Sequence, residues 1–170
     1  MIADYVQEHQ QRLIEILSHL VKIPSENRAP SGAEMACQQY VAKALQTCRW
    51  KPEIYRPDEV PGILGHSMYW PGRNYEDRCN VAARRKGSGG GRSLILSGHV
   101  DTVPVGSQPW QHDPFGAEID GNRLYGRGAT DMKCGIASNL FIVEAIADLD
   151  PWQAILLSVV DEEFGGGTAR

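Results

Sequence analysis

The sequence predicts an α/β fold, three layers deep, in which a mixed, largely parallel sheet is flanked by helices. Three observations predict it. Stretches with apolar residues at helical spacing alternate along the chain with short apolar runs of strand character, as expected when helices cover a central sheet. One such run, QAILLSVV (153–160), is apolar almost throughout, which suits a strand covered on both faces. The 170 residues, 42% hydrophobic and 22% charged, match one globular domain with a core large enough to fold.

Residues 3–22 form the first expected helix. Val6, Leu13, Leu17, Leu20 and Val21 share one face, and Pro24 stops it. Ser31-Gly-Ala-Glu34 is a capping-box pattern. It opens a second helix reaching about Cys48, with Tyr40, Val41, Ala44 and Leu45 inward. EIYR (53–56) reads as a short strand, and residues 57–77 as an irregular connection rich in proline and glycine. NVAARRK (80–86) and RSLILSG (92–98) read as strands joined by the flexible turn Gly87-Ser-Gly-Gly-Gly91. A strand follows those glycines, so they lack the helix start that a phosphate loop needs. AEIDGNRLYG (117–126) predicts a hairpin around Asp120-Gly121. MKCGIASNLFIVEAIADL (132–149) predicts a third helix, with Ile136, Leu140, Val143 and Ile146 at helical spacing before Pro151. The strand 153–160 closes the series.

A net charge of −4 leaves no basic surplus to neutralise phosphates, so no nucleic-acid partner is expected. Arg84-Arg85-Lys86 reads as the solvated end of a strand. The first residues lack the basic and apolar regions of a signal peptide, and no apolar run approaches the ~18–20 residues that span a bilayer. No membrane partner is expected. Cys37, Cys48, Cys79 and Cys134 are scattered without a C-x-x-C pair, which reads as reduced thiols in a cytoplasmic protein.

Three polar clusters fall at element junctions. In LILSGHVDTVP a strand runs out into His99 and Asp101, two apart and therefore on one side of an extended chain. Alone, this pair also fits a histidine and an aspartate satisfied at a strand end. In YGRGATDMKCG, Asp131 stands just before a helix, where it fits either an N-cap or a carboxylate able to bridge two cations. In VVDEEFGGG, a buried-looking strand delivers Asp161, Glu162 and Glu163 in a row. Adjacent ionised carboxylates repel, and burying them is costly without cations, though a solvated acidic loop fits too. Sites in open α/β sheets lie beyond the carboxyl ends of the strands. One histidine and several carboxylates converging there suit zinc, cobalt or manganese, with two metals sharing a carboxylate and a water.

SGHVDTVPVG, LYGRGATDMKCG and VVDEEFGGG resemble, in order and spacing, three signatures of one metal-dependent amidohydrolase and metallopeptidase family. Its members include acetylornithine deacetylase, succinyl-diaminopimelate desuccinylase, aminoacylase and glutamate carboxypeptidase. CNVAARRKG (79–87) and WQHDPFGAEIDGNRLYGRG (110–128) are similar to it as well. The likeness covers most of the chain and is densest from 79 to 167. It implies two divalent metal ions, zinc first and cobalt or manganese as alternatives. His99 is implied as a ligand of one metal, Asp131 as the bridging carboxylate and Glu163 as a ligand of the other. Asp101 is implied as the clamp on His99, and Glu162 as the general base. It also implies a cis peptide at Asp131-Met132.

The implied substrate is a small N-acyl amino acid or peptide, and the implied full-length protein is a homodimer. Further ligands, an acid and a histidine, and a lid or dimerisation domain come later in family members. Residues 1–170 are therefore expected to be the N-terminal part of a catalytic domain, inactive or nearly so alone. A metal-binding domain without turnover is the alternative, against which the intact Glu162 argues. A serine hydrolase is excluded by the lack of G-x-S-x-G. Cys134 lacks a histidine partner and is not expected to be a nucleophile. His19, His66 and His112, and also Arg127 and Lys133, read as surface or packing residues. Asp161 is left without a role.

Overall fold

The computed structural model describes residues 2–67, 69–88, 92–147 and 153–164. Along the chain run α1 (Ile2–Lys22), the two-residue strands β1 (Asn27–Arg28) and β2 (Ser31–Gly32), and α2 (Met35–Thr47). Then come β3 (Pro52–Tyr55), β4 (Asn80–Arg85) and β5 (Ser93–His99). The hairpin β6 (Glu118–Asp120) and β7 (Arg123–Tyr125), α3 (Cys134–Ala145) and β8 (Gln153–Val159) complete the order.

The central sheet has the strand order β3-β4-β8-β5 and is mixed. β5 and β8 run parallel, in register from Ser93 and Gln153 to His99 and Val159. β4 runs antiparallel to both β8 and β3. A largely parallel sheet is thus met only at β5–β8 among the described residues. Parallel neighbours need a crossover; α3 supplies one between β5 and β8, whereas among the described residues only two three-residue 3-10 turns (Pro57–Glu59 and Ile63–Gly65) lie between the antiparallel β3 and β4.

Side chains alternate across a strand, and here one face carries the core. Val81, Ala83, Leu96, Ala154 and Leu156 cluster with Val41 and Leu45 of α2, Ile136 and Leu140 of α3, and Ile16 and Leu20 of α1. Full burial of such side chains contributes about 1.5–3 kcal/mol each, which makes this cluster the main source of stability. Ile95, Ile155 and Leu157 point the other way and lie outside the cluster; Ile95 is 62% exposed. The two-sided cover expected for 153–160 is therefore present on one face among the described residues.

Several boundaries shift for local reasons. Val6 is exposed, and it is its neighbour Tyr5 that packs against the core from the first turns of α1, beside Phe141. The capping box does not form. Ser31 lies in β2, paired with Arg28, and the Glu34 carboxylate turns away to Arg78. The hairpin turn is Gly121-Asn122 rather than Asp120-Gly121, since Asp120 pairs with Arg123. α3 starts at Cys134, two residues late, because Asp131 and Met132 keep non-helical backbone angles. Residues 148–149 of the expected helix, and Gly89 to Gly91 of the expected turn, lie outside the described residues. All four cysteines are free thiols; burial pushes Cys37 up to about 11. No described helix is long and apolar enough to cross a membrane.

Candidate metal centre

The parallel register of β5 and β8 sets the site. His99 is the last residue of β5 and lies opposite Val159, the last of β8. The loops leaving these two strands therefore emerge at the same end of the sheet. From β5 comes Asp101, fully buried; from β8 come Asp161, Glu162 and Glu163. The third contributor is the turn before α3. Gly128 has φ +76, and a Cβ there would run into Thr102 Cγ2, so glycine is needed for the close approach. Asp131 then stands in extended backbone (φ −121, ψ 108) with no helix N–H bonded to its side chain, so it is not an N-cap. The Asp131-Met132 peptide is cis.

These elements bring His99, Asp131 and Glu163 together. One ligand atom from each lies within 4.8 Å of the others. His99 Nε2 is 3.2 Å from Asp131 Oδ1 and 3.5 Å from Glu162 Oε2. An imidazole nitrogen and two carboxylates form a donor set that fits zinc, cobalt or manganese. His99 itself is buried, whereas the Asp131 and Glu162 side chains are 75% and 46% exposed. The cluster is thus rooted on one side and open on the other.

Asp101 works at more points than the sequence suggests. His99 Nδ1 donates to the Asp101 carbonyl oxygen at 3.0 Å, with the carboxylate 3.4 Å away. The same carboxylate accepts the Glu162 and Glu163 backbone N–H groups at 3.1 and 3.0 Å, and Asn27 Nδ2 at 3.0 Å. One buried acid therefore fixes both the imidazole and the turn that carries the two glutamates. Burial opposes its charge, but His99, Asn27 and those amides hold its carboxyl below the usual range. Burial likewise works against a charged His99, yet Asp101 and Glu162 leave the imidazole pushed up to about 9. Burial raises Glu163, and His99 offsets part of that.

The three acids in a row separate into three environments. Asp161 has left-handed backbone (φ +65) and no exposed surface. Its carboxylate accepts from Asn27 Nδ2 at 2.9 Å and from Tyr75 OH at 3.1 Å. It also faces Arg73 Nε and Arg78 Nη2, each at 3.2 Å. Arg78 in turn grips Glu34 at 2.6 Å, and both are fully buried. Glu162 and Glu163 turn outward instead. The repulsion that three adjacent carboxylates would suffer is relieved by sending one of them inward to two guanidinium groups. Asn27, Glu34, Arg73, Tyr75 and Arg78 were missed by sequence reasoning, and no spacing rule connects residues so far apart. The one available signal was the uncompensated third acid.

The residues read as packing groups have packing partners. Lys133 is fully buried and donates to the carbonyls of Leu20 and Ile23 at 2.9 and 2.7 Å, closing the end of α1. Burial lowers its pKa. Arg127 stacks over Trp110 and bonds the Pro104 carbonyl. Cys134 donates to Thr130 O within its own turn. His112 stacks on Tyr125 beside Glu118, and His19 stacks on Tyr40. Gly165 to Gly167 lie outside the described residues.

Comparison with known proteins gives a consistent family. Residues 95–170 match the model of peptidase family M20/M25/M40. A succinyl-diaminopimelate desuccinylase from Cereibacter sphaeroides is 41% identical over 156 residues, 89% of this chain and 35% of that protein. Another, from Dinoroseobacter shibae, is 41% identical over 89 residues, 51% of this chain and 24% of that protein. The chain thus spans about a quarter to a third of the length of these relatives. Among solved structures, human carnosine dipeptidase 1 superposes with a TM-score of 0.70 at 22% identity, covering 92% of this chain and 33% of that one. An M20 family metallo-carboxypeptidase from Sulfolobus solfataricus gives 0.68 at 22% identity, with coverage of 89% and 31%. At that identity, the structures speak for the fold.

Proposed function

Since this chain belongs to peptidase family M20/M25/M40, we propose that it carries the His99, Asp131 and Glu163 ligands of a two-metal amidohydrolase. The reaction is cleavage of an amide bond in an N-acyl amino acid or small peptide. His99 would hold one ion, Glu163 the other, and Asp131 would serve both, with zinc the first candidate and cobalt or manganese the alternatives. Divalent ions bound there supply Lewis-acid polarisation of the amide carbonyl and acidify water.

The chain's own residues do the rest. Asp101 keeps His99 oriented and fixes the backbone of Glu162. Glu162, 46% exposed and 3.5 Å from His99, takes a proton from the attacking water at a carboxylate oxygen. It then delivers that proton to the leaving amine nitrogen as the C–N bond breaks. The observation that carries this reading is the convergence of three ligand atoms within 4.8 Å beside a half-exposed glutamate.

These 170 residues span about a quarter to a third of the relatives' length, and on the family pattern a further acid and histidine complete the ligand set, so the segment alone is expected to turn over little or no substrate. The desuccinylase relatives make an N-succinyl amino acid the first substrate to assay. A protein with this segment at the relatives' length, loaded with zinc, cobalt or manganese, is expected to hydrolyse it. Chelation should stop the reaction. Undiminished turnover after the metal is stripped would exclude the mechanism.

A further inference from the structure

The turn 161–164, which carries Glu162 and Glu163, is held from two sides. On one side Asp101 accepts the backbone N–H groups of both glutamates. On the other stands Arg73, from the irregular connection between β3 and β4. Its Nε faces Asp161 Oδ2 at 3.2 Å, an ionic contact rather than an aligned hydrogen bond. Its Nη2 donates to the Phe164 carbonyl oxygen at 3.0 Å. One guanidinium therefore touches the residue before Glu162 and the residue after Glu163. The Arg73 side chain is only 9% exposed. Next to it the Asn74 N–H donates to the Pro30 carbonyl at 2.8 Å, which fixes the backbone from which Arg73 reaches, and the Trp70 ring lies 5.0 Å from the guanidinium carbon.

Such a turn needs holding. Asp161 has left-handed backbone (φ +65), a costly conformation for a residue with a side chain, and one that persists only where its surroundings over-determine it. The Asp131, Glu162 and Glu163 carboxylates gather around His99 and repel one another. Tyr75 and Arg78 hold the Asp161 end of the turn as well; Arg73 joins that end to Phe164. We propose that Arg73 is a positioning residue for the amide hydrolysis, setting where Glu162 and Glu163 stand relative to His99 and Asp131. This rests on the reading of Glu162 as the general base. Arg73 acts through the turn and does not touch the reacting atoms. Its planar fork can grip two acceptors in one geometry, which the single ammonium of a lysine cannot. A displacement of about 1 Å in a catalytic group is enough to cost roughly 100-fold in rate.

Steady-state kinetics on a protein with this segment at the relatives' length, at saturating metal, tests this with four variants: Arg73→Met, Arg73→Lys, Glu162→Gln and the double variant Arg73→Met/Glu162→Gln. Arg73→Met should lower kcat about 10- to 100-fold and leave KM within about twofold. Arg73→Lys keeps a charge facing Asp161 and loses the second grip, so its kcat should fall between the two. In the double variant kcat should lie within about twofold of Glu162→Gln alone, because a base that is gone has nothing left to misplace. If Arg73→Met does not fold, Arg73→Lys takes its place in the same cycle. A kcat within twofold of the parent for the Arg73 variants would overturn the proposal, as would a change confined to KM. So would losses that multiply in the double variant, the mark of a residue that supports the fold alone. An undiminished kcat in Glu162→Gln by itself is a separate failure: it removes the base, and this proposal falls with it.

Discussion

Glu162→Gln lowers kcat by about 100- to 10,000-fold in a protein that carries this segment at the relatives' length, the range spanned by a lost general base. Metal content should not change. The substitution keeps the side chain's volume and its backbone bond to Asp101, and removes only the ability to accept a proton. Glu163→Gln gives the contrasting pattern. The side chain beside it in sequence is one of the two that converge with His99, so its loss shows first as weaker metal binding. Steady-state kinetics at saturating metal, with metal analysis of each variant, separates the two. Turnover within a few-fold of the parent for Glu162→Gln would remove Glu162 from the chemistry.

Arg78→Met costs about 3–5 kcal/mol of folding stability, the penalty for removing one partner of a buried ion pair. Arg78 has no exposed surface and lies between two carboxylates, Glu34 and Asp161, that have none either. Methionine fills much of the space but leaves Glu34 without its guanidinium and Asp161 with Arg73 alone of its two. The loss extends to the site, because Asp161 is tied through Asn27 to Asp101, and Asp101 holds the backbone of Glu162 and Glu163. Pairing Arg78→Met with Glu34→Gln should recover part of the stability, since residues in one network are not additive. Urea unfolding reads both variants. A change below about 1 kcal/mol for Arg78→Met would mean that the buried network contributes little.

How much could be read from the sequence depends on how far each interaction reaches. The strands that end in His99 and lead to Glu162 were legible because apolar runs and breaks are local signals. The convergence was legible because open α/β sheets gather their sites at strand ends. The pairing of β4 with β8 was not, since nothing in NVAARRK states which strand it joins or in which direction. The turn of β6 and β7 slipped by one residue because Asp120-Gly121 and Gly121-Asn122 are both acceptable turn chemistry. Asp161 was the clearest gap. Its role depends on Asn27, Tyr75 and Arg78, which only tertiary packing brings to it, and Glu34 forsook a capping position for Arg78 in the same way.

The metal centre stands or falls with His99 as a ligand, and cobalt titration of the chelator-treated chain tests that most directly. Bound Co²⁺ reports itself by visible absorption. Binding should weaken as pH falls below about 9, because a metal ion takes the neutral imidazole and must displace the proton that Asp101 and Glu162 help to hold. His99→Ala should weaken binding about tenfold or more, at least ~1.4 kcal/mol for one lost ligand, and flatten the pH dependence. Glu162→Gln should leave the affinity close to the parent's. Cobalt bound by His99→Ala with the parent's affinity and pH dependence would contradict the assignment of this cluster as the metal centre.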